Sequence, residues 1–396
     1  IVTADTAAAL NTALTNATST DALTLTVNGA TAQATDLIDL DGKTSVDVSV
    51  TATAVSGTFA NLNTVYVTNA ANYANLGDEN VTITDTTSAA NVNAILGATS
   101  GNVTAIVTAD TAAALNTALT NATTGTDALT LTINDTSLTS VSDLLALDGK
   151  TNVAVNASSV NSMTDTYTNL NLVYAANTAN TISGLGDENI FISNIGTIAS
   201  SQITSLDEAT TGTLTLNGAG SLTLTTIAGE TLDLSGVTNS LSGTLTINDS
   251  IGDNNIKGTS ANDTLTLSSG NDTINLGAGD DTINVTNMSD LTSADIITDT
   301  SGIDTLNING SGTIASSDFN VSGFEYLNLS TGADVVTFTD KSSFDTFKSK
   351  FSSAIDTKGG DDEFKFSSAI TEDLDFTKIA NLEKLSFSGA DDTVRF

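Results

Sequence analysis

Four pentads spaced nine residues apart set the strongest limit on what this chain can fold into: Gly252-Asp253-Asn254-Asn255-Ile256, Ala261-Asn262-Asp263-Thr264-Leu265, Gly270-Asn271-Asp272-Thr273-Ile274 and Gly279-Asp280-Asp281-Thr282-Ile283. A constant period with an apolar residue at one phase predicts one half-coil per repeat, each too small to bury its own apolar face and so obliged to stack on the next. Gly or Ala permits the tight turn, Asn and Asp supply oxygens and tolerate left-handed backbone, and Ile or Leu points inward. If two repeats make one turn, Asp263 stacks near Asp281 and Asp272 lies beside Asn254.

Oxygen-rich turns stacked in this way suit a hard cation, because calcium takes about six to eight oxygen ligands at roughly 2.3–2.6 Å and can share carboxylates from neighbouring coils. The candidate metal-holding residues are Gly252, Asp253, Asn254, Asn262, Asp263, Gly270, Asn271, Asp272, Gly279, Asp280 and Asp281, with a capacity of about two or three ions for so short a block. The competing reading is an ion-free solenoid whose Asn and Asp serve the turn conformation alone. LGAGDDTIN at residues 276–284 resembles the RTX nonapeptide pattern G-G-x-G-x-D-x-U-x except at Leu276, while GTSANDTLT at 258–266 and LSSGNDTIN at 267–275 lack some of the glycines. That resemblance implies a β-roll with calcium turns.

Longer repeats organise the rest. IVTADTAAALNTALTNAT at residues 1–18 recurs letter for letter at 106–123, LDGKT at 40–44 returns at 147–151, and LGDEN at 76–80 returns at 185–189. Residues 1–105 and 106–213 are thus two copies of one unit, followed by a third region over 214–396. Within each unit the segment equivalent to Asp5–Ala17 predicts a short helix, with Thr3 or Asp5 as its N-cap. ALTLTVN, TSVDVSVTATAV and NTVYVTN alternate apolar with small polar residues and predict strands. LGDEN reads either as a cation site or as an exposed acidic turn. From residue 214 onward, GTLTLNG, SLTLTT, ETLDLSG and GTLTIND predict very short stacked strands. FEYLNLSTGADVVTF at 324–338 aligns with LEKLSFSGADDTVRF at 382–396. Asp334 in the first copy, Asp391 and Asp392 in the second, and Asp361 and Asp362 between them are further metal candidates. The predicted fold is all-β, a β-solenoid or β-roll with calcium turns, plus short helices in the N-terminal repeat units.

Composition narrows function. Asp and Glu number 46 against 11 Lys and Arg, a formal net charge of -35, which repels nucleic acid and anionic lipid and attracts cations. Cys and His are absent, so no thiolate nucleophile, imidazole base, His-bearing triad or zinc-thiolate site can be assembled, and an enzyme is not expected. No apolar run reaches the roughly 20 residues that span a bilayer. The chain begins at Ile1 without a basic-then-apolar leader, which predicts a processed product or a piece of something longer.

SGFEYLNLS beside such turns looks like the secreted surface-layer proteins of Gram-negative bacteria, and the duplicated N-terminal units fit these or large repetitive adhesins. The resemblance implies type I secretion and an extracellular, cell-surface location. It also implies calcium as cofactor and self-assembly into a lattice or filament, with cell-surface polysaccharide as a further partner. The alternative function is an adhesin or extender of the surface or biofilm matrix.

Overall fold

The computed structural model describes residues 1–123, 126–193 and 196–388. The chain is strand-rich, with parallel sheets and short helices, and forms two compact units. One comprises residues 1–164 and 168–188, the other 165–167 and 189–396. Among the described residues no helix is long and apolar enough to cross a membrane.

In the first unit, Thr31–Gln33, Ala54–Gly57, Asn80–Ile83, Val103–Ile106 and Ala128–Thr130 form one parallel sheet in chain order. The pairings Val81↔Val103 and Ala105↔Leu129 carry this ladder across residue 105, so the boundary between sequence copies is not a structural seam. Short helices follow several strands because a hydroxyl is ready at their N-termini. Thr6, Thr58, Ser88 and Thr111 accept from the backbone N–H three residues on. The first helix is Ala7–Ala13, capped by Thr6 and not by Thr3 or Asp5. The repeated LDGKT segment closes these steps. Lys43 donates its ammonium to the Leu14 carbonyl and Lys150 to that of Leu119, while the Thr44 and Thr151 hydroxyls bridge the backbones of Leu23 and Leu129.

NTVYVTN departs from its strand pattern. Residues Thr64–Thr68 form a π-helical turn that continues the helix Phe59–Asn63. Val65 and Tyr66, adjacent in sequence, are both buried while Val67 is 48% exposed, which a two-residue period cannot do. TSVDVSVTATAV is broken into Val48–Val50 and Ala54–Gly57.

In the second unit the nonapeptides and the turns after them fall into two parallel ladders, and a third joins Thr313–Ala315, Val335–Phe338, Glu363–Phe366 and Lys384–Ser386. Of the first two, the longer contains Gly196–Ala199, Leu222–Thr225, Leu245–Asn248, Asp263–Leu267, Thr282–Val285, Thr305–Ile308, Phe324–Asn328, Phe351–Asp356 and Ile379–Ala380; the other contains Thr231–Asp233, Asn255–Lys257, Thr273–Asn275, Ile296–Thr298 and Val321–Ser322. The pairings Leu245↔Asp263 and Thr264↔Thr282 keep the spacing that separates Asp263 from Asp281, 18 residues, so two nonapeptides advance the ladder by one strand. Apolar residues stack in register: Ile247, Leu265, Ile283, Leu306, Leu327 and Ile355 in one row, and Leu232, Ile256, Ile274 and Ile297 in the other, all at 0% exposure. Each such side chain contributes about 1.5–3 kcal/mol by burial.

Beyond the nonapeptides the step lengthens, to 23 residues from Asn284 to Asn307 and to 28 residues from Asp334 to Asp362. The longer step contains a helix, Lys341–Ser349, opened by an Asp340 capping box, which the expectation of helices only in the N-terminal units did not include. Its Phe344 and Phe347 pack edge-on against Phe338, with Phe319 and Phe351 against Phe347. A pattern of Thr and Leu alternation does not report this insertion, because the helix is specified by aromatics three residues apart and by its cap.

Leu265→Ala is expected to lower stability by about 2–5 kcal/mol in a denaturant melt with calcium present. Ile296→Ala, at a side chain 49% exposed, is expected to change it by less than about 0.5 kcal/mol.

Candidate calcium centre

The inward carboxylates of the second unit form ladders in which a backbone N–H of one turn donates to the acidic side chain of the next. In one, Asp263 N donates to Asp281 Oδ1 (2.7 Å), Asp281 N to Asp304 Oδ1 (2.9 Å) and Asp304 N to Glu325 Oε2 (2.8 Å). In another, Glu230 N donates to Asn254 Oδ1 (2.9 Å), Asn254 N to Asp272 Oδ1 (2.8 Å) and Asp272 N to Asp295 Oδ1 (2.8 Å). A third runs from Gly312 N to Asp334 Oδ1 (3.2 Å), Asp334 N to Asp362 Oδ1 (2.9 Å) and Asp362 N to Glu383 Oε2 (3.1 Å). The expected neighbours, Asp263 with Asp281 and Asp272 with Asn254, are hydrogen-bonded.

One oxygen of each carboxylate is thereby used, and the fate of the other divides the turns into two classes. Thr259 donates its backbone N–H and hydroxyl to Asp263, Ser330 does the same for Asp334, and Thr292 for Asp295. By contrast, Oδ2 of Asp272, Asp281, Asp304 and Asp362 is buried without a hydrogen-bond partner among the described residues, and these four side chains are at most 1% exposed. A desolvated carboxylate oxygen with no donor is costly and fits a bound cation. Burial, together with the charge of neighbouring carboxylates, pushes the Asp272 and Asp281 carboxyls up to about 7. Burial also raises Asp304 and Asp362, and it raises Asp263 only to about 6, against the hydrogen bonds from Thr259.

The outer residues of the pentads make a second seam. Asp253 Oδ1 accepts from Asn271 N, Asn262 Oδ1 from Asp280 N, and Asp280 Oδ1 from Ile303 N. These side chains face solvent. The glycines serve close approach: a Cβ on Gly270 would lie 2.4 Å from the Gly252 carbonyl oxygen, and one on Gly279, whose φ is +128°, 2.7 Å from Ala261 backbone. Gly252 is also left-handed, with φ +116°. Asp361 is exposed beside the buried Asp362. Asp391 and Asp392 lie outside the described residues.

Several ladder members escape a search at fixed spacing: Asp295, Asp304, Glu325 and Glu383. Gly302-Ile303-Asp304-Thr305-Leu306 and Gly323-Phe324-Glu325-Tyr326-Leu327 keep the small-x-acid-x-apolar pattern, but their acids follow Asp281 and Asp304 by 23 and 21 residues. The LGDEN glutamates turn inward. Glu79 is 2% exposed and accepts from the Tyr66 hydroxyl (3.1 Å) and Gly77 N (2.8 Å), and Glu188 is fully buried and accepts from Tyr174 (2.9 Å) and Gly186 N. Burial and the Glu79 charge hold the Tyr66 hydroxyl well above its ordinary value, so it remains a donor.

A sequence model of the RTX calcium-binding nonapeptide repeat family matches residues 249–283 in four copies. No curated protein and no solved structure matches the chain. The residues fit the ion this family binds. The orphaned Oδ2 atoms of Asp272 and Asp281 are available as anionic ligands, and the ion would neutralise carboxylates that face one another across successive turns.

Asp272→Ala combined with Asp281→Ala is expected to lower the number of calcium ions bound per chain in equilibrium dialysis, whereas Asp21→Ala leaves it unchanged. Without calcium, a carboxyl held near 7 in the fold against an ordinary 3.8 binds more protons folded than unfolded. Its contribution is therefore full below 3.8 and lost as pH rises through about 7. In EGTA the melting temperature is expected to rise on going from about pH 8 to about pH 5.5, and millimolar calcium to abolish or reverse that slope. A flat profile in EGTA contradicts this account of the buried carboxyls. The four nonapeptides at residues 249–283 match the RTX calcium-binding repeat, so the chain carries a block of RTX-type repeats.

Proposed function

We propose that the chain is a secreted structural protein of the bacterial cell surface, S-layer-like, in which calcium closes a β-roll and promotes self-assembly outside the cell. The observation that carries this reading is the carboxylate ladder. It runs from Glu230 to Asp295, from Asp263 to Glu325 and from Gly312 to Glu383, well beyond the matched repeats, in parallel ladders that could continue only by adding another strand. On this reading the two ladders are faces of one solenoid.

A net charge of -35 holds such turns apart where calcium is scarce, and extracellular levels of about 10⁻⁴–10⁻³ M match the affinity range of extracellular calcium modules. Binding free energy is then folding free energy, so the chain stays exportable inside and folds outside. The role is non-catalytic: the chain has no Cys or His, and its clustered acids already serve as ladder partners. Cell-surface polysaccharide is the proposed anchor.

The near-identical units at 1–105 and 106–213 favour a second reading, an adhesin or extender that gains length by duplication. Electron microscopy and light scattering of the purified chain separate the two. Ordered arrays on adding calcium, dispersed by EGTA, support the lattice; a monomer that stays a monomer in millimolar calcium supports the extender and ends the lattice reading.

A further inference from the structure

The step from Asp281 to Asp304 lies almost wholly past the matched repeats, spans 23 residues against 18 from Asp263 to Asp281, and brings in a further acid. Five positions before the inward acid, the matched repeats carry Gly258, Leu267 and Leu276; here the residue is Asp299. Asp249 holds the same place before Asn254, but both its oxygens are taken, by the Asn254 amide and by Ser268 N. One carboxylate oxygen each of Asp281, Asp299 and Asp304 lies within 4.8 Å of the others. Each carboxylate has one oxygen committed to a backbone N–H: Asp281 Oδ1 to that of Asp263, Asp304 Oδ1 to that of Asp281, and Asp299 Oδ1 to that of Thr300. The remaining oxygen, Oδ2, is buried in all three with no hydrogen-bond partner among the described residues, and Asp281 and Asp304 are 1% and 0% exposed.

Nothing on hand offsets this charge. No ion pair among the described residues involves any of the three. The hydroxyl of Thr300, next in the chain to Asp299, is turned to another partner: it and the Thr300 backbone N–H both donate to the Gly277 carbonyl. That arrangement occupies the Gly277 carbonyl with two donors. Three like charges this close cannot all persist in a desolvated place without a counter-charge.

We infer that Asp281, Asp299 and Asp304 form a divalent-cation site at the C-terminal edge of the nonapeptide block, sharing Asp281 with its last repeat, in which Asp299 supplies a third free carboxylate oxygen that the matched repeats lack. The site rests on the calcium reading of the repeats and extends it to a ligand set richer in charge. Oxygen-only, anionic donors select a hard cation of the calcium class. Water completes the shell.

The test uses the full chain with calcium alone, comparing wild type, Asp299→Asn, Asp272→Asn and Asp47→Asn as a surface control. Asp299→Asn is expected to remove one ion per chain in equilibrium dialysis or to weaken the tightest class at least tenfold. It is also expected to melt lower than wild type in calcium but no lower in EGTA, because a mutually repelling charge has been removed. A purely structural role for Asp299 gives the opposite signature, a lower melting temperature in both media with the ion count unchanged, and overturns the site. An unchanged count in Asp299→Asn together with a lost ion in Asp272→Asn overturns this site while leaving the repeats as calcium turns. Wild type that binds no calcium overturns both.

Discussion

A carboxylate in one turn accepting the backbone N–H of the turn before it is the contact on which the acidic stack depends. It satisfies an amide that parallel pairing leaves over, but only with half of a carboxyl group, and so it carries a second oxygen into a place without water. Parallel sheets bury both faces and leave little room for solvent to correct such a mismatch. The chain answers it in different ways at different turns. Thr259, Thr292 and Ser330 lend hydroxyls to the acids that follow them, whereas Oδ2 of Asp272, Asp281 and Asp304 receives none. Calcium supplies the missing partner in the RTX repeats.

The first unit meets the same difficulty with other neighbours. Glu79 and Glu188 are as deeply buried as the ladder aspartates, and each takes a tyrosine hydroxyl and a turn amide; Glu79 takes both on Oε2, and its Oε1 is buried without a hydrogen-bond partner among the described residues. The π-helical turn at Thr64–Thr68 helps place Tyr66, which a regular strand would have directed elsewhere. One chain therefore gives its inward acids two kinds of neighbour, a tyrosine hydroxyl with a turn amide of the same loop in the first unit and the backbone N–H of the preceding turn in the second.

Much of this was legible in the residues. The nine-residue period predicted the register of Thr264↔Thr282 and the contacts of Asp263 with Asp281 and Asp272 with Asn254. A period is readable only while loop length is constant. Once insertions stretch the steps, the same small-x-acid-x-apolar signature at Asp304 and Glu325 loses its frame and is seen only when strand pairing restores it. Capping by Thr259 could not be anticipated, since a threonine four residues before an aspartate is common and becomes a cap only when the turn folds back. The segment NTVYVTN failed for a different reason: adjacent Val65 and Tyr66 must both be buried, and short alternation of valine and threonine suits a strand as well as a tight helical turn.

The ladder has a sense of direction. In every link the amide belongs to the earlier turn and the acid to the later one, so a turn is complete only when its successor is already in place. The outer seam points the opposite way, since Asn271, Asp280 and Ile303 donate back to Asp253, Asn262 and Asp280. The inner links thus ask for the following turn and the outer links for the preceding one. A turn within the acidic stack is thereby finished only when it is flanked on both sides, like a tile that interlocks along two opposite edges.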